Sequence, residues 1–168
     1  MAEYIPEGQD VVELGCGQMH LKKFLPKSAK YTGIDYVMRD SDTVVCDFNK
    51  ERLPKLESDI YFLAGVLEYA IDPEDIITQV CSNTRRRVIL SYCLLSDFPQ
   101  EIRKQLNWTN SLNKSDIRRL FKKFGFRVLH TFSVQDNTVF IAIRLSFIDL
   151  FLCRLGMKRI LPRTDRGP

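Results

Sequence analysis

Two glycines one residue apart, Gly15 and Gly17, follow the apolar run Val11-Val12-Glu13-Leu14 and open a stretch with helical spacing. A strand running into such a turn lets its backbone approach whatever lies across the strand end, because no Cβ stands in the way. Glu13, two residues before the first glycine, sets a negative charge there that suits an ammonium group and repels a pyrophosphate. Asp35, 20 residues beyond Gly15 in Thr32-Gly33-Ile34-Asp35-Tyr36, sits at a neighbouring strand end, where a carboxylate accepts both hydroxyl hydrogens of a ribose. Asp47 and Phe48 close a third β-branched run and offer a carboxylate for an exocyclic adenine amine and an aromatic face for the ring; Asp47 suits the cap of a turn equally well. His20 stands where a dinucleotide fingerprint requires its third glycine. The pattern therefore favours a nucleoside with a cationic arm over a dinucleotide such as NAD.

These residues need a parallel sheet to bring them to one edge, and the chain supplies the pattern for one. β-Branched runs near 10–14, 30–34, 43–46, 59–63 and 86–92 alternate with helical stretches near 19–25, 73–83 and 114–124. The last helix carries Ile117, Leu120, Phe121 and Phe124 at core spacing, with Ser115 as its expected cap and Gly125 as its end. Runs at 126–134 and 138–145, separated by Gln135-Asp136-Asn137, predict a terminal hairpin. The expectation is an α/β domain with a seven-stranded sheet and helices on both faces. Only 93–113 lacks periodicity, and within it 99–106 suits a helix; unpatterned segments of that length in a compact domain are often functional.

Over roughly residues 8–145 the chain resembles the class I S-adenosylmethionine-dependent methyltransferases. Glu13-Leu14-Gly15-Cys16-Gly17 looks like their first motif, Asp35 and Tyr36 like the ribose acid and its neighbour, and Asp47-Phe48 like the adenine pair. Leu63-Ala64-Gly65-Val66-Leu67-Glu68-Tyr69 resembles the segment that lines the methionine and methyl side. The resemblance implies a Rossmann-like sheet of order 3-2-1-4-5-7-6 with strand 7 antiparallel, and S-adenosyl-L-methionine as cofactor. A narrower resemblance, to short bacterial methyltransferase-domain proteins of polysaccharide clusters and to the MetW type, rests on Asp35–Asp40, Gly65–Tyr69 and Ile89–Cys93. The chain departs from the family pattern at Met19, where many members have a third glycine, and in having barely nine residues before its first strand, where most have helices over the cofactor.

Methyl transfer is an in-line displacement helped mainly by alignment and by exclusion of water, so a base is optional. The candidate bases are His20, Glu68 and Tyr69, of which Glu68 equally suits orienting the acceptor; His130, inside an apolar strand, reads as structural. With little chain before the first strand, 93–113 is the expected lid, with Phe98, Asn107, Trp108 and Asn110 as its acceptor-facing residues. The expected acceptor is a glycan, a lipid-linked molecule or another small molecule. The rival reading is a non-catalytic module of the same fold that docks on a partner enzyme.

A chain of 168 residues, 45% apolar and 27% charged, fits one folded domain, here 1–146, followed by a basic tail at 147–168. Residues 144–168 hold six Lys/Arg against two Asp/Glu, so they carry the whole net charge of +4. The body is then neutral, which argues against nucleic acid as a partner. Five dispersed cysteines without a CxxC pair, and only two histidines, predict free thiols and no metal site. The N-terminus has neither a basic start nor an apolar run, which predicts a cytoplasmic protein. Bulky apolar residues mixed with Arg and Lys over 147–161 are too short and charged to span a bilayer; they predict an amphipathic helix lying on the inner face of the membrane or joining a homodimer.

Overall fold

The computed structural model describes residues 1–146. Seven strands, β1 (Val11–Leu14), β2 (Tyr31–Asp35), β3 (Val44–Val45), β4 (Ser58–Ala64), β5 (Thr84–Tyr92), β6 (Phe126–Val134) and β7 (Asn137–Arg144), form one sheet in the order β3-β2-β1-β4-β5-β7-β6. Neighbours from β3 to β5 pair in parallel, and β7 is antiparallel to both β5 and β6. Central strand β1 pairs with β2 and β4 in one register, Leu14 opposite both Ile34 and Leu63. It is buried throughout, as a parallel strand covered on both faces must be. The chain leaves β1 towards β2 and β3, then returns to start β4 on the other side of β1. This reversal opens a crevice outside the carboxyl ends of the strands.

One face of the sheet carries α1 (Pro73–Asn83) and α3 (Lys114–Lys123). Their Ile76, Ile77, Val80, Ile117, Leu120 and Phe121 pack on Val12, Leu14, Leu63, Val88, Leu90 and Phe140. α1 starts cleanly: the Asp72 carboxylate accepts the Asp75 N–H at 3.0 Å, Pro73 occupies the first turn, and Glu74 and Asp75 face the positive end of the helix dipole. α3 is capped two residues earlier than expected. Its N-cap is Asn113, whose N–H donates to Asp116 Oδ2 at 3.0 Å, so Ser115 falls inside the first turn. Asn113 prevails because Asp116, three residues on, reciprocates, and nothing comparable follows Ser115.

The opposite face is covered by 3-10 turns at Ala2–Tyr4 and His20–Phe24, with Ile5, Leu21 and Leu25 on Val11, Ile60, Phe62, Ile89 and Ile141. The helix expected at 19–25 is thus a 3-10 turn. Within it only Leu21 is buried, and one anchor does not hold two turns of α-helix against the cost of ordering them. α2 (Gln100–Gln105) forms inside the unpatterned segment. Cys16, Cys46, Cys81 and Cys93 are buried free thiols. Among the described residues no helix is long and apolar enough to cross a membrane. The readings made for 147–168 lie outside the described residues.

Candidate functional site

The strand order brings Gly15, Asp35, Cys46, Gly65 and Cys93 to one edge of the sheet, each at or just past the carboxyl end of its strand. The glycine loop is fixed from below: Gly15 N–H and Cys16 N–H both donate to Ile34 O, at 2.8 and 3.0 Å. Its two glycines differ. Both have positive φ, but a Cβ on Gly15 would lie 2.8 Å from Val66 Cβ and nearer still to its Cγ2, whereas one on Gly17 would enter open space. Gly65, also at positive φ, likewise borders open space. Gly15 therefore lets the post-β4 segment close on the loop, and Gly17 and Gly65 leave a cradle that side chains would fill. Gly33 plays a part the sequence reading missed: a Cβ there would sit 2.9 Å from Cys16 Sγ and 3.2 Å from Met19 Cε. Glycine in mid-strand, a mark of close approach, was its signal. Met19 takes the left-handed conformation, φ 54°.

Asp35 joins the loop to β2. Its Oδ2 accepts the Gly17 N–H at 2.8 Å, and its Oδ1 accepts from Val37 N–H at 3.2 Å and Arg39 Nη2 at 3.1 Å. Arg39 carried no signal in the sequence beyond being a cation four residues past the acid. It lies over the exposed Tyr36 ring and lines, with Gly17, Met19, Lys22 and Asp40, a cavity of about 440 Å³ beside the loop. Glu13 points to the 3-10 face, is buried, and accepts a hydrogen bond from the Tyr31 hydroxyl. Burial lifts its pKa to about 7 against the lowering effect of that bond, with nearby Asp35 adding to the rise.

At the end of β3, Asp47 makes the turn cap that was one of its two expected roles. Its Oδ1 accepts the Asn49 N–H at 3.1 Å, and a 2.8 Å contact with Lys50 holds its carboxyl below the usual carboxylate range. Phe48 packs partly into the core beside it. Asn49 then bridges to the far side of the crevice, donating to Tyr69 O at 2.9 Å and accepting from Ile71 N–H at 2.9 Å. Ala64 and Tyr69 are exposed on the rim, and His20 is exposed at the start of its 3-10 turn.

The segment after β5 is fastened down by a buried polar network. Arg103, 1% exposed, donates to Asn110 O at 2.8 Å, Cys93 O at 2.6 Å and the Tyr92 hydroxyl at 2.6 Å, and its guanidinium lies over the Tyr92 and Trp108 rings. Asn110 accepts from the Tyr92 hydroxyl and donates to Leu67, Glu68 and Ala70 carbonyls, while Thr109 N–H donates to Glu68 O. Asn110 thus ties the segment to the post-β4 turn through its amide NH2 and to the end of β5 through its amide oxygen, and Trp108 packs edge-on against Phe98 at 5.3 Å. Asn107 is exposed, at φ 57°. Glu68, 1% exposed, belongs to the same network: Oε1 accepts the Cys93 N–H at 2.7 Å, and Oε2 is buried without a partner. Burial raises its pKa, against the Cys93 N–H and the nearby Arg103 charge. Glu68 and Arg103 therefore hold the Cys93 backbone at its N–H and its C=O respectively.

No protein-family model matches the sequence, and no curated protein does. Solved structures match over most of the chain. An S-adenosylmethionine-dependent methyltransferase from Mesorhizobium loti shares 15% identity, with 86% of this chain and 98% of that one aligned at a TM-score of 0.69. The magnesium protoporphyrin IX methyltransferase of Synechocystis, solved with bound S-adenosylhomocysteine, shares 19% over 83% and 75% at a TM-score of 0.65. A chain of the Haloferax volcanii complex between the Trm112 methyltransferase activator and a candidate methyltransferase shares 15% over 86% and 88% at 0.70. The chain has the class I methyltransferase fold. Identities this low establish the fold alone.

Proposed function

We propose that the protein is an S-adenosylmethionine-dependent methyltransferase acting on a glycan, a lipid-linked molecule or another small molecule. The observation that carries the reading is the coupling of the open cradle at Gly17 to Asp35 through the 2.8 Å hydrogen bond, at the topological switch point of a class I sheet. Bound S-adenosylmethionine supplies an electrophilic methyl on a sulfonium. Gly17 and Gly65 leave room for it, Asp35 holds the ribose hydroxyls once Arg39 gives way on Oδ1, and Phe48 and Tyr36 flank the base. Glu13 faces the cationic arm. Glu68, buried and bound to the Cys93 N–H, positions the floor under the acceptor, so that proton removal falls to Tyr69, to His20, to solvent or to the acceptor itself.

Calorimetric titration with S-adenosylmethionine and S-adenosylhomocysteine tests the reading. Wild type is expected to bind both, and Asp35→Ala neither; a folded wild type that binds neither overturns it. The pH adds a second signature. Glu13 titrates near pH 7, and its ionised form favours a cation, so affinity should rise roughly tenfold from pH 6 to pH 8 and stay flat in Glu13→Gln. In the ligand-free protein the sign is reversed. The raised pKa means that the folded state holds its proton more tightly than the unfolded chain. Stability therefore falls as pH climbs from about 4.5 to about 7, by on the order of 3 kcal/mol at 1.36 kcal/mol per unit.

The second reading, a non-catalytic module docked on a partner enzyme, is favoured by the Arg39 guanidinium seated on Asp35 and by the burial of Glu68. It draws support also from the likeness to a chain of a complex that contains a methyltransferase activator. Persistent binding of Arg39 to Asp35, with no affinity for either ligand, would favour it.

A further inference from the structure

Beside the glycine loop, three cations converge on the cavity of about 440 Å³. Lys22 and Lys23 come from the 3-10 turn after β1 and Arg39 from the chain after β2, while Gln18 and Met19 line the same cavity and Asp40 is the one carboxylate among its lining residues. The protein satisfies the three head groups poorly. Lys23 is exposed and has no ion-pair or side-chain hydrogen-bond partner among the described residues. Lys22 Nζ stands 3.8 Å from Asp40 Oδ2, beyond hydrogen-bonding distance, and Asp40 is itself held by the Asp42 N–H at 2.9 Å and the Thr43 hydroxyl at 3.0 Å. Arg39 makes one side-chain hydrogen bond, from Nη2 to Asp35 Oδ1 at 3.1 Å. Three cations in one concavity thus share a single hydrogen bond to the described protein.

We infer that this cavity binds a phosphate group, free or on a small organic ester, and that its occupancy is coupled to the cofactor site through Arg39. A phosphate offers three oxygens to donors that arrive from two elements, where a carboxylate offers two. The cavity is larger than a phosphate alone and leaves space for an organic remainder beside Gln18 and Met19. This ligand is not the methyl acceptor: the cavity belongs to the β1–β2 side of the crevice, whereas the post-β4 turn and the segment after β5 stand across β1. The coupling follows from one ion pair. Arg39 occupies Asp35 when neither ligand is present, and each ligand separates the two, a ribose by taking Oδ1 and a phosphate by drawing the guanidinium. Whichever binds first breaks the pair, and the second meets a site already open, so each tightens the other by the same factor. With Arg39 34% exposed, that factor is about fivefold. The coupling rests on S-adenosylmethionine as the ligand of Asp35; the phosphate site does not.

Calorimetry of the full chain with inorganic phosphate and with glycerol phosphate, against chloride at matched ionic strength, measures the site directly. Wild type should bind both. Tighter binding of the ester assigns a phosphorylated metabolite as the ligand, and equal binding assigns the free ion. Lys23→Gln should weaken phosphate binding about fivefold and Lys23→Glu about twenty-fivefold, and Lys23→Gln should keep the wild-type affinity for S-adenosylmethionine when no phosphate is present. Phosphate should tighten S-adenosylmethionine about fivefold in wild type and leave it unchanged in Arg39→Gln, whose Asp35 is already free. A folded wild type that binds no phosphate, or phosphate binding that Lys23→Glu leaves intact, overturns the inference. So does an affinity for S-adenosylmethionine that phosphate leaves unchanged or weakens. Phosphate binding that depends on Lys23, in a protein with no affinity for S-adenosylmethionine, would instead sink the cofactor reading and the coupling with it while upholding the phosphate site.

Discussion

Arg103→Ala should lower the stability of the protein by about 3–5 kcal/mol, roughly 10 °C or more in melting temperature, although Arg103 lies in a segment without sequence periodicity. The guanidinium is 1% exposed and makes three hydrogen bonds, to Asn110 O, Cys93 O and the Tyr92 hydroxyl. Its loss strands two buried carbonyls and leaves Glu68 buried without the one nearby cation that opposes its raised pKa. Arg103→Lys should recover little, because an ammonium cannot span three acceptors and lie over two rings at once. Glu68→Gln is the informative partner. It keeps an acceptor for the Cys93 N–H and removes the carboxylate, so Arg103→Ala should cost less in that background. Thermal melts of the four proteins in a double-mutant cycle measure this coupling, and additive effects would show that the two groups do not share a network.

The second large effect separates the two glycines of the loop. Gly15→Ala should unfold or severely destabilise the protein, since its Cβ would lie 2.8 Å from Val66 Cβ and closer to Cγ2, at a φ of 71° that side chains rarely adopt. Gly17→Ala should leave the fold standing, at a cost of about 1 kcal/mol for the left-handed backbone. Its methyl points into the open cradle, so affinity for S-adenosylmethionine should fall roughly tenfold or more, about 1.4 kcal/mol. Val66→Ala should only partly rescue Gly15→Ala, because the offending Cβ remains. Equal behaviour of the two alanine variants in melting and in titration would contradict this division of roles.

Much of the fold was legible because it is written in local chemistry. Buried parallel strands are continuous apolar runs, and the span 126–134 was read to the residue because a hairpin turn, with Gln135 at φ 51°, ends it abruptly. The 3-10 turn at His20–Phe24 was misread as a fuller helix since Leu21 and Leu25 mimic a helical stripe too short to pay its nucleation cost. Asn113 outcompeted Ser115 through Asp116, a contest decided by one hydrogen bond.

The site was legible where backbone geometry demands a residue type and opaque where it arises from long-range contact. Glycines at a strand end and an acid at the next strand end announce themselves. Arg103 does not, because its meaning depends on Tyr92 at the end of β5 meeting Trp108 and Asn110 from the following segment. Asn110 was read as an acceptor-facing residue of a lid. Its amide NH2 is instead occupied by the carbonyls of the post-β4 turn and its amide oxygen by the Tyr92 hydroxyl, which makes the segment a wall braced against that turn. Arg39 is opaque for a local reason: it stands only four residues past Asp35, and no residue type there shows that the chain after β2 bends its guanidinium back onto the carboxylate.

Transfer itself is the most direct test of the central claim. The full chain is incubated with S-adenosylmethionine labelled in its methyl group and with fractionated glycans, lipid-linked intermediates and small molecules, beside Gly17→Ala as the folded control. The expected result is label fixed in one acceptor fraction by wild type, at a rate at least tenfold above Gly17→Ala, with S-adenosylhomocysteine released in equal amount. A wild type that binds S-adenosylmethionine yet labels no fraction, or labels one no faster than Gly17→Ala, would contradict the account.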